Sequence, residues 1–120
     1  VMELSRILPK SFMLLSGDDA LLLPHLACGG HGIISVVGNA YPALFSSIIL
    51  DFANGEIVKA RENHYKLLPL IGNLFKEGNP GGIKETLKHL GICENYMRLP
   101  LYPVSKTLSD ALKHDVTELG

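Results

Sequence analysis

Short apolar runs separated by breaker residues fill the first half of the chain, and a three- to four-residue apolar rhythm governs the second. Residues 1–10 read as the end of a helix, with Leu4, Ile7 and Leu8 on one face and Pro9 as its stop. Residues 12–15, FMLL, form a short apolar run between Lys10-Ser11 and Ser16-Gly17-Asp18, which predicts a buried strand. Asp18 or Asp19 then caps a helix, because a short carboxylate accepts hydrogen bonds from the free N–H groups of a first turn. That helix covers residues 20–28 and ends at Gly29-Gly30, where left-handed backbone is cheap. Residues 33–37, IISVV, are rich in β-branched side chains, bracketed by Gly32 and Gly38, and predict a second strand. Runs apolar on both faces belong to parallel sheets covered on both sides, and strand–helix–strand at this spacing is a βαβ unit. Asn39 and Pro42 lead into a further helix over 43–54, ended by Gly55.

Beyond Glu56 only helices are predicted. Ile57, Ala60, His64, Leu67, Leu68, Ile71, Leu74 and Phe75 recur at helical spacing, with Pro69 placed to bend the helix. Residues 78–82, GNPGG, read as a turn, followed by a short helix over 83–90 stopped by Gly91. Pro100 and Pro103 force an extended path through residues 98–103, and Ser105 caps a last helix that runs to about Leu119. The chain thus divides into 1–55, the end of a helix plus two βα units, and 56–120, a helical extension.

Two parallel strands do not make a stable sheet in water; three or more with covered faces are needed. The chain therefore reads as the closing part of a larger α/β domain. A closed (β/α)8 barrel takes about 250 residues, twice what is present here. The start at Val1 rather than Met adds the expectation of residues upstream.

Composition narrows the function classes. With 47% hydrophobic and 19% charged residues the chain can bury a core, so disorder is excluded. A formal net charge of -1 provides no basic field for nucleic acid or an anionic membrane. No apolar stretch reaches the length of a spanning helix; residues 40–53 are interrupted by Pro42, Ser46, Ser47 and Asp51. Glu3 and Arg6 break any secretory core at the start, and Cys28 and Cys93 read as reduced thiols, so a cytoplasmic protein is expected.

Local chemistry is sparse. Ser16-Gly17-Asp18-Asp19 lies where a strand gives way to a helix, the edge at which α/β folds bind ligands, although local sequence alone favours a glycine turn with an N-cap over a site. His25, Cys28 and His31 have the spacing of metal ligands, but three donors without a downstream pair favour a structural reading, and no metal or cofactor is expected. GNPGGIK, residues 78–84, lacks the phosphate-loop register, because Glu85 follows Lys84 and no strand precedes it. His64, His89 and His114 lie on helices without a nucleophilic partner at a telling spacing. Lys10, Lys84 and Lys113 are the lysines to weigh as carbonyl nucleophiles, and none ends a predicted strand. The sequence presents the rim of a site without its reactive centre.

The run FMLLSGDDALLLPHLACGGHGIISVVGNAYP resembles the seventh and eighth βα units of the dihydrodipicolinate synthase family. LLPLIGNLFKEGNP, IKETLKHLGI and RLPLYPVS are similar, in the same order, to that family's three-helix C-terminal extension. The resemblance implies the last two βα units of a (β/α)8 TIM barrel plus that extension. It also implies a lyase condensing pyruvate with L-aspartate 4-semialdehyde in the diaminopimelate and lysine pathway. Family members form a Schiff base between pyruvate and a lysine on the sixth strand, with a relay of a threonine and two tyrosines, one from a partner subunit. All of these fall in the N-terminal part of the barrel, outside the matching segment, so the chain is expected to be inactive alone. By the resemblance, Gly17 lines the pyruvate pocket, Asp18 is a carboxylate at the mouth of the site, and Ile34 supplies backbone that closes on pyruvate. The partners implied are the missing N-terminal half and further copies, the family commonly forming tetramers. Two alternatives stay open: another pyruvate-dependent aldolase of this fold, such as an N-acetylneuraminate lyase, and a non-catalytic half-barrel that pairs with a partner chain.

Overall fold

The parallel pair predicted from the two apolar runs is present but short. The computed structural model describes all 120 residues and holds two strands, β1 (Leu15–Ser16) and β2 (Gly32–Ile33), with Leu15 opposite Gly32 and Ser16 opposite Ile33. Six α-helices accompany them: α1 (Met2–Ile7), α2 (Leu22–Ala27), α3 (Pro42–Ala53), α4 (Ile57–Leu74), α5 (Gly81–His89) and α6 (Lys106–Leu119). The fold is α/β and mostly helical.

The second strand differs most from expectation. The apolar run predicts extension throughout residues 33–37, yet β2 ends at Ile33 and Val37–Asn39 form a 3-10 turn. The N–H groups of Val36 and Val37 both donate to the Asp19 carboxylate, at 3.0 and 2.8 Å, and Gly38 N–H donates to Ser35 Oγ at 2.8 Å. Amides engaged by side chains in this way compete with a strand ladder. The first strand likewise spans Leu15–Ser16 rather than residues 12–15. At Leu14, the N–H donates to His31 Nδ1 and the carbonyl accepts from the His31 N–H and from His25 Nε2. The helix expected over 20–28 begins as a 3-10 turn at Asp19–Leu21 before α2 proper.

The later helices follow their sequence signals closely. Pro42 occupies the first turn of α3, Ser105 caps α6 by accepting from Leu108 N–H at 3.2 Å, and α4 runs through Pro69 without interruption. The α5 helix starts at Gly81 and Gly82, residues expected in the turn before it. A Cβ on Gly82 would stand 2.2 Å from the Leu74 carbonyl oxygen, so the bare residue lets α5 abut the end of α4. Between Arg98 and Leu101 the extended path is closed into a turn by a 3.0 Å main-chain bond.

One cluster of twelve buried apolar residues joins the βα portion to the helical extension, running from Leu22 and Val37 through Ile48, Leu67 and Leu74 to Leu112. The opposite side lacks such cover. No residue of α1 is buried, and Phe12, Met13, Leu15 and Ile34 are all exposed, Met13 at 67%. The radius of gyration is 15.7 Å, against roughly 13–14 Å for a compact domain of this length. The strands therefore sit at a margin of the molecule, with apolar side chains of the kind that sheets normally bury.

Candidate functional site

The C-terminal ends of the two parallel strands bring Gly17, Asp18 and Ile34 together. Ile34 N–H donates to the Ser16 carbonyl at 3.0 Å, continuing the ladder one step past β2 and setting Ile34 beside the Ser16–Gly17 peptide. Ser16 Oγ accepts from Asp18 N–H at 3.1 Å and lies 3.3 Å from the Asp18 carbonyl, which tightens the turn. Asp18 then caps the following 3-10 turn, its Oδ1 accepting from Ala20 N–H at 3.0 Å. All three positions named from sequence thus share one rim, with Ile34 74% exposed on it.

Gly17 is unconstrained by its own surroundings. A Cβ there would meet no atom within 4 Å, and its φ is not in the left-handed region. Packing inside this chain therefore does not demand glycine at 17.

Beside this turn opens a groove of about 400 Å³ whose far wall is the end of α4, through Ile71 and Gly72, with Phe75 just beyond it. The sequence assigns α4 to core packing alone. Its apolar rhythm fits both roles, so periodicity gives no signal that this helix also borders the site.

Asp19 escapes sequence reasoning in a different way. Local sequence makes it interchangeable with Asp18 for capping, yet the two neighbouring carboxylates have different roles. Asp19 is 1% exposed, and its Oδ2 takes the Val36 and Val37 N–H groups while Oδ1 has no hydrogen-bond partner. Its carbonyl accepts from His64 Nε2 at 3.0 Å, so that ring nitrogen carries the proton. His64, otherwise unassigned, thereby ties α4 to the rim.

The other sequence candidates resolve into structural contacts. His25 and His31 both bind the main chain of Leu14, and no group of three or more His, Cys, Asp or Glu is arranged to hold a metal ion. Gly30 presses on the His25 ring, a Cβ there falling 2.1 Å from it. The GNPGGIK segment is occupied by the α4–α5 packing, and Lys84 Nζ donates to the Tyr96 carbonyl at 2.6 Å. His89 Nε2 donates to the Ser109 carbonyl at 3.1 Å. No lysine is buried, Lys10 and Lys113 being exposed. A second cleft, of about 450 Å³, holds Lys66, His114, Asp115 and Glu118 and shares no residue with the strand ends. Asn73 Nδ2 already donates to Asp115 Oδ2 at 2.6 Å. Burial, reinforced by the negative charge of Asp115, pushes the Tyr41 phenol above its ordinary range.

In chemical terms the rim offers open space over the main chain at Gly17 and a carboxylate at Asp18. No lysine lines the groove beside it. No helix of the molecule is long and apolar enough to cross a membrane.

Comparison with known proteins points to one family. Residues 1–119 match the model of the dihydrodipicolinate synthetase family. The 4-hydroxy-tetrahydrodipicolinate synthase of Flavobacterium psychrophilum is 43% identical over 111 residues, covering 92% of this chain and 38% of that protein. The synthase of Archaeoglobus fulgidus is 40% identical over 119 residues, 99% of this chain and 41% of its own length. Among solved structures, the dihydrodipicolinate synthase of Aquifex aeolicus superposes with a TM-score of 0.93 at 38% identity, over 98% of this chain and 40% of that one. The corresponding enzyme of Thermotoga maritima gives 0.87 at 39% identity, over 89% and 36%. The chain therefore spans about two fifths of the length of the relatives it matches.

Proposed function

Because this chain belongs to the dihydrodipicolinate synthetase family, we propose that it forms the last two βα units and the helical extension of a (β/α)8-barrel lyase. That lyase condenses pyruvate with L-aspartate 4-semialdehyde on the route to diaminopimelate and lysine. One observation carries the reading: similarity runs through 99% of the chain yet reaches only 41% of a relative's length. The bare apolar margin beside β1 and β2 agrees with it, since a barrel leaves no open edge.

In this reading the two parts divide the work. Imine chemistry needs a desolvated lysine and a proton relay, and both belong to the portion of the barrel that precedes this chain. Residues 1–120 supply the fit. Gly17 lets the pocket wall approach pyruvate, Ile34 offers main chain to it, and Asp18 stands at the mouth, where its charge acts on incoming substrate.

The test is a coupled condensation assay on the complete polypeptide and on residues 1–120 alone. Turnover by the first and none by the second is expected. Robust turnover by the 120-residue chain would refute the division of labour. Inactivity of the complete protein with both substrates would refute the assigned reaction and favour a non-catalytic pairing module.

A further inference from the structure

We propose that Asp19 is a positioning residue for pyruvate: its carboxylate locks the main chain that follows β2 onto the turn that follows β1, and so fixes Ile34 opposite Gly17. The inference rests on the reading of Gly17 and Ile34 as pyruvate-facing.

Three sets of bonds make the lock. Ile34 N–H reaches the Ser16 carbonyl at 3.0 Å; Val36 and Val37 N–H converge on Asp19 Oδ2 at 3.0 and 2.8 Å; His64 on α4 holds the Asp19 carbonyl at 3.0 Å. No side chain outside residues 34–39 other than Asp19 bonds to the main chain of that segment. Capping does not explain the residue, because Asp18 already caps the turn. A fully buried carboxylate is also an expensive way to pair two amides, since desolvation opposes its charge and Oδ1 is left unpartnered. What it provides is stiffness: two charge-assisted bonds from consecutive amides to one oxygen define the position of the segment closely. Pocket walls built from main chain need such support, because small displacements of a binding surface weaken productive contact steeply.

The asymmetry of the carboxylate yields a clean pair of variants. In Asp19→Asn the amide oxygen can still accept from Val36 and Val37, whereas Asp19→Ala removes the acceptor. Both are made in the complete polypeptide, with KM and kcat read separately and amide hydrogen exchange followed at Val36, Val37 and along α4. Asp19→Ala is expected to raise KM for pyruvate about tenfold or more while kcat falls less than about threefold, and Asn to restore most of the difference. Exchange at Val36 and Val37 accelerates in the Ala variant only, and α4 keeps its protection. An unchanged KM for pyruvate with faster exchange at those amides would overturn the proposal. So would loss of α4 protection with a collapse of both constants, which marks a merely structural role. If the unsubstituted protein shows no turnover, the reaction assignment fails by itself and exchange decides the lock: accelerated in Ala but not Asn supports it, unchanged in both overturns it.

Discussion

The Ile34 N–H and the Ser16 carbonyl, 3.0 Å apart, form the last rung between the strands and the one that carries the ladder into the site. Replacing Ile34 with proline deletes this donor and leaves a carbonyl unpaired. The expected cost is about 1–3 kcal/mol in equilibrium unfolding of the complete protein, together with weaker pyruvate binding. Urea denaturation and a pyruvate titration on the same sample check both halves.

In the proposed function Gly17 serves the pocket and not the fold. A methyl group there meets nothing within 4 Å in this chain. Gly17→Ala should therefore keep the parental unfolding midpoint while raising KM for pyruvate, because the added Cβ narrows the pocket wall. A fall in stability with KM unchanged would show that glycine serves packing against the rest of the barrel.

Gly82 is the opposite case. A methyl group on it would fall 2.2 Å from the Leu74 carbonyl oxygen and 2.8 Å from the Leu74 carbonyl carbon, both rigid main chain. Gly82→Ala must push α5 off the end of α4 and is expected to cost about 2–4 kcal/mol, measured by denaturant unfolding. Catalytic constants of the surviving folded fraction should stay near parental values, since the contact is remote from the strand ends.

Glu85 predicts the acid limb of stability. Burial pushes its carboxyl upward, but the bonds from Ser109 and Asn95 and the nearby charges of Lys88 and His89 outweigh that and hold it below its usual value of 4.5. A folded-state value below the unfolded one means the stabilisation is complete above pH 4.5 and is lost as pH falls through the lower folded value. Urea midpoints between about pH 3 and 7 should drop on the acid side, and Glu85→Gln should flatten that part of the curve. An equally steep acid limb in Glu85→Gln would assign the loss to other carboxylates.

Helix positions are readable in the sequence because their signals are local: Pro42, Ser105 and the glycines at 29, 55 and 91 act within one turn of where they stand. The rim is readable for the same reason, Ser16-Gly17-Asp18 being a self-contained turn. The true length of β2 is not. Val36 and Val37 favour a strand intrinsically, and what removes them is a carboxylate seventeen and eighteen residues away. Tertiary bonds of this kind leave no trace in periodicity, and the same blindness conceals α4 as a wall of the groove. Twin aspartates at a strand end offer a usable hint, since one short side chain suffices for a cap.

The proposed reaction is tested most directly by borohydride trapping of pyruvate on the complete polypeptide, followed by peptide mapping of any adduct. The adduct should fall on a lysine that precedes residue 1 of this chain, with Lys10, Lys84, Lys113 and the other lysines of residues 1–120 unlabelled. Labelling of any lysine within residues 1–120 would contradict the separation of pocket wall from reactive centre.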